Sequence, residues 1–327
     1  MITSKNHFSK DRVLKGPEIS ELFFNEFGLP AIKEHFPEIV DHISAGLIGK
    51  GSEVIGADDE FSRDHGWGPT FRLFMKERDF QEIGKDVETK LNELKPSVFE
   101  GIELSKYRTS SITATTIDLC FRDLTCSPLP PQNLREWAFV NENGLCFAQA
   151  GKVFYDPLGQ LRERKQAFED AYYPDPIWRW RIASRLLRLW HYGDYNIRSR
   201  LARRNDGISA LIGQGYFVEA VMQLVFLLNR RFAPYWKWLH WGFVRLPYLA
   251  NEFEPLLVEL ESVSNLGMRA QIIGDICNLY RKVLCDQSFF PDSNWRNFMG
   301  AFEILDSIDD PEVRELIKDS EILDEPK

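Results

Sequence analysis

Two hydrophobic patterns divide the chain. Short apolar or β-branched runs dominate the first 160 residues, and apolar residues recurring every three or four positions dominate the rest. HISAGLIG (42–49) reads as a buried strand running into glycines, TFRLFM (70–75) as a second strand and SITATTIDLCF (111–121) as a third. Residues 79–94 read as a helix between the last two, and GKVFYDP (151–157) as a short strand ending in a turn. Ahead of them, Ser20 is placed to cap a helix over ELFFNEFG, with Phe23, Phe24 and Phe27 on its apolar face and Gly28 at its end. Pro30 and Pro37 bracket a second short helix.

A proline-rich connection, CSPLPPQ (126–132), comes before the change of period. Further on, Trp178, Ile182, Leu186 and Leu189 share one helical face. Arg181, Arg185 and Arg188 fall on the neighbouring face, where solvent or ion partners are expected. Phe217, Val221, Leu224, Val225 and Leu228 repeat the pattern, as do Ile272, Ile276, Leu279 and Val283. These patterns predict an α+β protein: a small mixed-sheet domain over residues 1–160, then a helical bundle over 161–327. The acidic end, SEILDEPK, reads as a frayed tail.

Composition narrows the classes. The 327 residues are 44% hydrophobic and 27% charged, an ordinary globular balance. Forty Lys or Arg against 49 Asp or Glu give a net charge of −9, which excludes general coating of nucleic acid. Residues 171–250 nevertheless carry twelve Lys or Arg against four Asp or Glu, together with many tryptophans and tyrosines. Such a region suits a compact polyanion such as a nucleoside triphosphate, or pairs with the acidic flanks. Five cysteines, an odd number with no CxxC spacing, argue against a disulfide framework and against structural zinc. With no signal-type start and no apolar run near 20 residues, a cytoplasmic protein is expected, with no membrane partner.

The chemistry concentrates in GLIGKGSEVIGADDEFSRDHGWGP (46–69), with six glycines and a dense set of carboxylates. A phosphate-binding P-loop needs Lys followed by Ser or Thr, but Gly51 follows Lys50. The glycines at 46, 49 and 51 also miss the G-x-G-x-x-G dinucleotide order. A third template fits: a strand, a Gly-Ser corner opening a helical turn, and a carboxylate about a dozen residues on. Gly51 would let backbone approach a phosphate, and Ser52 would offer a hydroxyl and N–H groups. Asp64 would hold Mg²⁺ across triphosphate oxygens, carboxylates being the ligands that hard cation prefers.

The string GSEVIGADDEFSRDHGWGP resembles the signature of a bacterial family of predicted nucleotidyltransferases. That family is known only as a domain of unknown function and is similar to the polymerase-β-like superfamily and its aminoglycoside adenylyltransferases. The resemblance extends over residues 22–246 and includes GKVFYD (151–156), RND (204–206) and NRRFAPYWKW (229–238). It implies a nucleotidyltransferase-like fold, with ATP or another NTP and Mg²⁺ as cofactors and an unidentified acceptor. Gly51, Ser52 and Ser62 would contact nucleotide, and Asp64 and Asp118 would be the catalytic and metal-binding carboxylates. Tyr235 and Lys237 would join from the helical part, which closes over nucleotide in related enzymes. The superfamily has a second acidic residue two positions after the first, where this chain has Gly66. Asp58, Asp59 and Glu60 read either as a solvated loop or as alternative carboxylates, whereas His65 suits Mg²⁺ poorly. Three functions therefore stand: transfer of AMP to a hydroxyl, nucleotide binding without catalysis, and a helical interaction protein on an α/β scaffold.

Overall fold

A computed structural model of the chain describes residues 15–64, 67–104, 111–291 and 297–319. His65, Gly66 and the acidic tail, all singled out above, lie outside these residues. So does the side chain of Asp64, although its backbone is described.

The described chain opens with helix α1 (Gly16–Phe23), a π turn (Phe24–Gly28), α2 (Leu29–His35) and a 3₁₀ turn (Pro37–His42). Strand β1 (Ser44–Leu47), a 3₁₀ turn (Glu60–Asp64), β2 (Arg72–Phe74) and α3 (Glu77–Leu94) follow. Then come β3 (Val98–Phe99), β4 (Ile102–Glu103), β5 (Thr113–Thr115) and α4 (Ile117–Thr125). Helices α5 (Leu134–Phe139) and α6 (Glu142–Gln149) precede β6 (Lys152–Tyr155) and α7 (Gln160–Asp170). The remainder is helical: α8 (Asp175–Arg188), a π-helix (Leu189–Leu201), α9 (Ala202–Arg204), α10 (Gly207–Leu228) and α11 (Trp236–Phe243). It closes with α12 (Ala250–Ser262), α13 (Leu266–Asp286), α14 (Asn297–Asp306) and α15 (Pro311–Asp319).

Chain contacts define two compact units. One comprises Met1–Leu129 and Phe147–Glu169, the other Pro130–Cys146 and Asp170–Lys327. This division differs from a single break at 160, because α5 and the start of α6 join the helical unit before the chain returns for β6. The α+β class stands.

In the first unit the sheet order is β5-β2-β1-β6. β1 is antiparallel to both β2 and β6, while β2 and β5 are parallel. Gly46 faces Arg72, Leu47 faces Lys152 and Arg72 faces Thr113, so these residues mark one edge of the sheet. Ser44, Phe74 and Thr115 mark the other. Phe23, Phe24, Phe71, Leu73, Val87 and Leu91 fill the core beneath, with Phe71 in ring contact with both Phe23 and Phe24. β6 can approach β1 because Gly151, at φ +85°, brings its backbone where a Cβ would lie 2.3 Å from the Leu47 carbonyl oxygen.

Three local expectations are corrected. Ser20 does not cap a helix: α1 starts at Gly16, with Pro17 in its first turn and Glu18 accepting from the Lys15 N–H at 3.2 Å. Ser20 is buried inside α1, and Gly28 continues the helical path instead of ending it. The third strand stops at Thr115, because Thr116 caps α4 by accepting from the Leu119 N–H at 3.1 Å. Asp118 is thus in a helical first turn and not on a strand. No helix follows Gly51–Ser52 either: a single turn forms, closed by the Ala57 N–H on the Ser52 carbonyl at 2.8 Å, with Gly56 at φ +78°.

In the helical unit, Arg185 and Arg188 pair with Glu142 and Glu219, as one of the two expectations had it, but Arg181 and Arg185 are buried rather than solvated. Arg181 donates to the Ala138 carbonyl at 2.9 Å. The expectation that no apolar run comes near 20 residues is corrected: α10, with 22 residues, is long and apolar enough to cross a membrane by length and composition. Half of that window is buried, with Phe217, Val221, Leu224 and Val225 packed in the unit. All five cysteines are thiols, none of them in a disulfide.

Candidate functional site

The loop leaving β1 and the 3₁₀ turn entering β2 lie at the same sheet edge, because the two strands are antiparallel neighbours. Gly51, Ser52 and the backbone of Asp64 are therefore brought to one end of the sheet. Ser52 is buried, and its hydroxyl donates to Glu53 Oε2 at 3.4 Å. A Cβ at Gly51 would stand 2.4 Å from Glu53 Oε1, so this glycine makes room for a carboxylate. Ser62 is buried, with its hydroxyl and N–H both donating to Asp59 Oδ1, at 2.6 and 2.8 Å.

Glu53 is a residue that sequence reasoning missed. Only 5% exposed, its carboxyl is pushed by burial from 4.5 up to about 7. Hydrogen bonds from its own backbone and from Ser52 pull it down, while the charge on Asp58 pushes it further up. Asp58 is buried as well. Its Oδ2 accepts from the Gly16 N–H at 2.7 Å and from Trp67 Nε1 at 3.4 Å, whereas its Oδ1 has no partner. The one sequence signal for Glu53 was its position inside GSEVIG, where it interrupts an otherwise small and apolar run.

Basic groups rim this edge. Arg72 packs against Gly49 and donates to Cys120 Sγ at 3.4 Å. Lys50 reaches the end of α4, 3.3 Å from Asp123 Oδ2 and donating to the Asp123 carbonyl at 3.0 Å.

Asp118 is elsewhere. It follows the far end of β5, pairs with Arg164 at 2.8 Å and borders a cavity of about 460 Å³ beside Ser44, Thr116 and Gln160. Strands advance about 3.3 Å per residue, so the two edges stand roughly 10 Å apart. Among the described residues, no three His, Cys, Asp or Glu side chains are grouped to hold a metal. The side chain of Asp64, the first expected ligand, lies outside those residues. Asp156, in the GKVFYD string, is structural: it accepts from Ser44 Oγ at 2.7 Å and from the Arg162 N–H at 2.8 Å, tying β1 to α7.

Within the helical unit, Tyr235 and Lys237 are exposed at the start of α11, with Lys237 Nζ 5.1 Å from the Trp238 ring. Trp236 is 67% exposed, and α11 buries Leu239 and Phe243. Arg204 and Asp206 do not form a buried pair. Asp206 caps α10 through Ser209, whose hydrogen bonds hold its carboxyl low, with a smaller contribution from Arg204.

A family model described as "Domain of unknown function (DUF4037)" matches residues 137–239, just under a third of the chain. The match covers α6, β6 and α7 through α10, including GKVFYD and NRRFAPYWKW, and begins well after the Gly51–Ser52 corner. No curated protein and no solved structure matches the chain.

Proposed function

We propose that the chain is a nucleotidyltransferase-like protein that binds a nucleoside triphosphate, ATP being the first choice, brought in as its magnesium complex. One observation carries this reading: the chain through Gly51–Ser52 leaves β1, and the chain from Asp64 enters β2, at the same end of the antiparallel β1–β2 pair, where Lys50 and Arg72 lie. Two cations beside backbone turns suit a polyphosphate. Magnesium would supply charge neutralisation on the phosphates; the chain's own part is to orient them. Transfer of AMP to a hydroxyl of a small molecule or macromolecule is the reaction this implies.

A specific observation also favours the second reading, a nucleotide-binding sensor or partner-binding protein without catalysis. Asp118 stands at the opposite edge from Ser52, and Gly66 occupies the position of the superfamily's second carboxylate.

Two measurements test these readings. Calorimetry with Mg²⁺–ATP should give saturable binding that Asp64→Ala and Lys50→Ala weaken; no binding would overturn both. Pyrophosphate release from labelled ATP, with a panel of hydroxyl acceptors, then separates them: release supports transfer, and binding without release supports the sensor.

A further inference from the structure

The helical unit contains a second polar cavity, of about 680 Å³, that the proposed triphosphate site does not use. One wall is the π-helix Leu189–Leu201 and the other is one face of α13. Thirteen residues is a long run for this rare, wide helix, which occurs mostly as single-turn insertions at functional sites. Its widening is supported locally by side chains that reach back five residues. Asn196 donates to the His191 carbonyl at 2.9 Å, Ser199 to the Asp194 carbonyl at 2.7 Å and Arg200 to the Tyr195 carbonyl at 2.9 Å.

The walls have a distinctive chemistry. Among the described residues, Arg198, Arg203 and Arg281 line the cavity together with the carboxylate of Asp194, which pairs with Arg198. Arg198 lies flat on Gly274, where a Cβ would come 2.7 Å from its Cζ, so α13 leaves room for the guanidinium. Three guanidinium groups around one cavity suit an anion, and planar N–H forks match phosphate oxygens. The remaining polar groups are neutral: Gln271, Asn278 and Asn297 offer amides suited to hydroxyls. Asn297 is buried, and its Oδ1 has no partner, leaving an acceptor ready for a ligand hydroxyl. The aromatic faces are already taken, because Trp190 contacts Tyr195 and Phe298, and Arg200 covers Tyr195. Among the described residues, these rings leave no open face for a flat base to stack on. Cys277 is buried, and burial pushes its thiol well up from the usual range.

We infer that the cavity between the π-helix and α13 is a binding site for a small phosphorylated polyhydroxy compound of the sugar phosphate class. The guanidinium groups of Arg198, Arg203 and Arg281 hold the phosphate, and Asp194, Asn278 and Asn297 take the hydroxyls. The site is independent of the triphosphate reading, since it needs no magnesium and lies wholly within the helical unit.

Calorimetry on the full chain in EDTA, with a panel of triose, pentose and hexose phosphates, tests it. At least one ester should bind with a dissociation constant below about 1 mM, a threshold worth about −4 kcal/mol. Inorganic phosphate should bind at least about tenfold weaker and the free sugar not measurably. Arg281→Ala should weaken the ester at least tenfold. Arg203→Ala, at an exposed position that cannot disturb the core, should do the same with unchanged melting. Asp64→Asn, which serves the other site, should leave the ester affinity intact. The inference is overturned if no sugar phosphate saturates, if phosphate alone binds as tightly as every ester, or if Arg203→Ala leaves the affinity unchanged.

Discussion

Replacing Glu53 with Gln should stabilise the protein at alkaline pH and do nothing at acidic pH. The folded chain raises this carboxyl from 4.5 to about 7, chiefly by burial. A raised carboxyl binds its proton more tightly folded than unfolded. Its contribution to stability is thus complete below pH 4.5 and is lost as pH rises through about 7. At 1.36 kcal/mol per pH unit, that gap is worth about 3 kcal/mol. The amide keeps an oxygen for the Ser52 hydroxyl but never ionises, so it escapes the loss and the repulsion from Asp58. Urea melts of both proteins at pH 4.5 and pH 8.5 measure the effect. E53Q should lead by about 2–3 kcal/mol at pH 8.5 and match wild type to within about 0.5 kcal/mol at pH 4.5. An equal difference at the two pH values would refute the reasoning, because it would mean that shape and not charge distinguishes the two side chains.

Other changes probe the frame around the sites. Glu142→Ala removes a carboxylate partner of Arg185, a side chain only 1% exposed, and the acceptor for the Ala233 N–H; it should cost about 3 kcal/mol by thermal melting. Adding Arg185→Met should recover most of that loss. Gly151→Ala forces a left-handed φ and a clash with the Leu47 carbonyl, and should cost more than about 2 kcal/mol in the same assay. In calorimetry with Mg²⁺–ATP, Asp118→Ala should leave affinity unchanged, whereas Asp123→Ala, beside Lys50, should alter it.

Much of the fold was legible. The runs at 42–49, 70–75 and 151–157 each contain a strand, and residues 79–94 fall within α3. The helical faces around Trp178, Phe217 and Ile272 are buried as their spacing implied. Errors arose where a side chain ends an element. Thr116 looks like one more β-branched strand residue, but its hydroxyl caps α4 and turns TATT into three strand residues and a cap. Ser20 resembles a cap for the opposite reason: Pro17 and Glu18 start the helix one turn earlier. The burial of Arg181 and Arg185 was illegible because their partners, Ala138 and Glu142, are over 40 residues away.

The candidate site follows from strand direction, which spacing along a sequence does not report. Antiparallel pairing of β1 and β2 joins the loop after one to the turn before the other, so Gly51 and Asp64 share an edge although thirteen positions separate them. The parallel pairing of β2 with β5 has the opposite consequence. It sends whatever follows β5 to the far edge, and Asp118 goes with it. A carboxylate on the third strand could serve the glycine edge only from the start of β5, yet the chain has no Asp or Glu between Glu103 and Asp118. The acidic group that does return is Asp123, because α4 runs back toward Lys50. Any acidic partner that α4 gives Asp64 therefore comes from its C-terminal end, and Lys50, already paired there, couples that carboxylate to the loop where phosphate would sit.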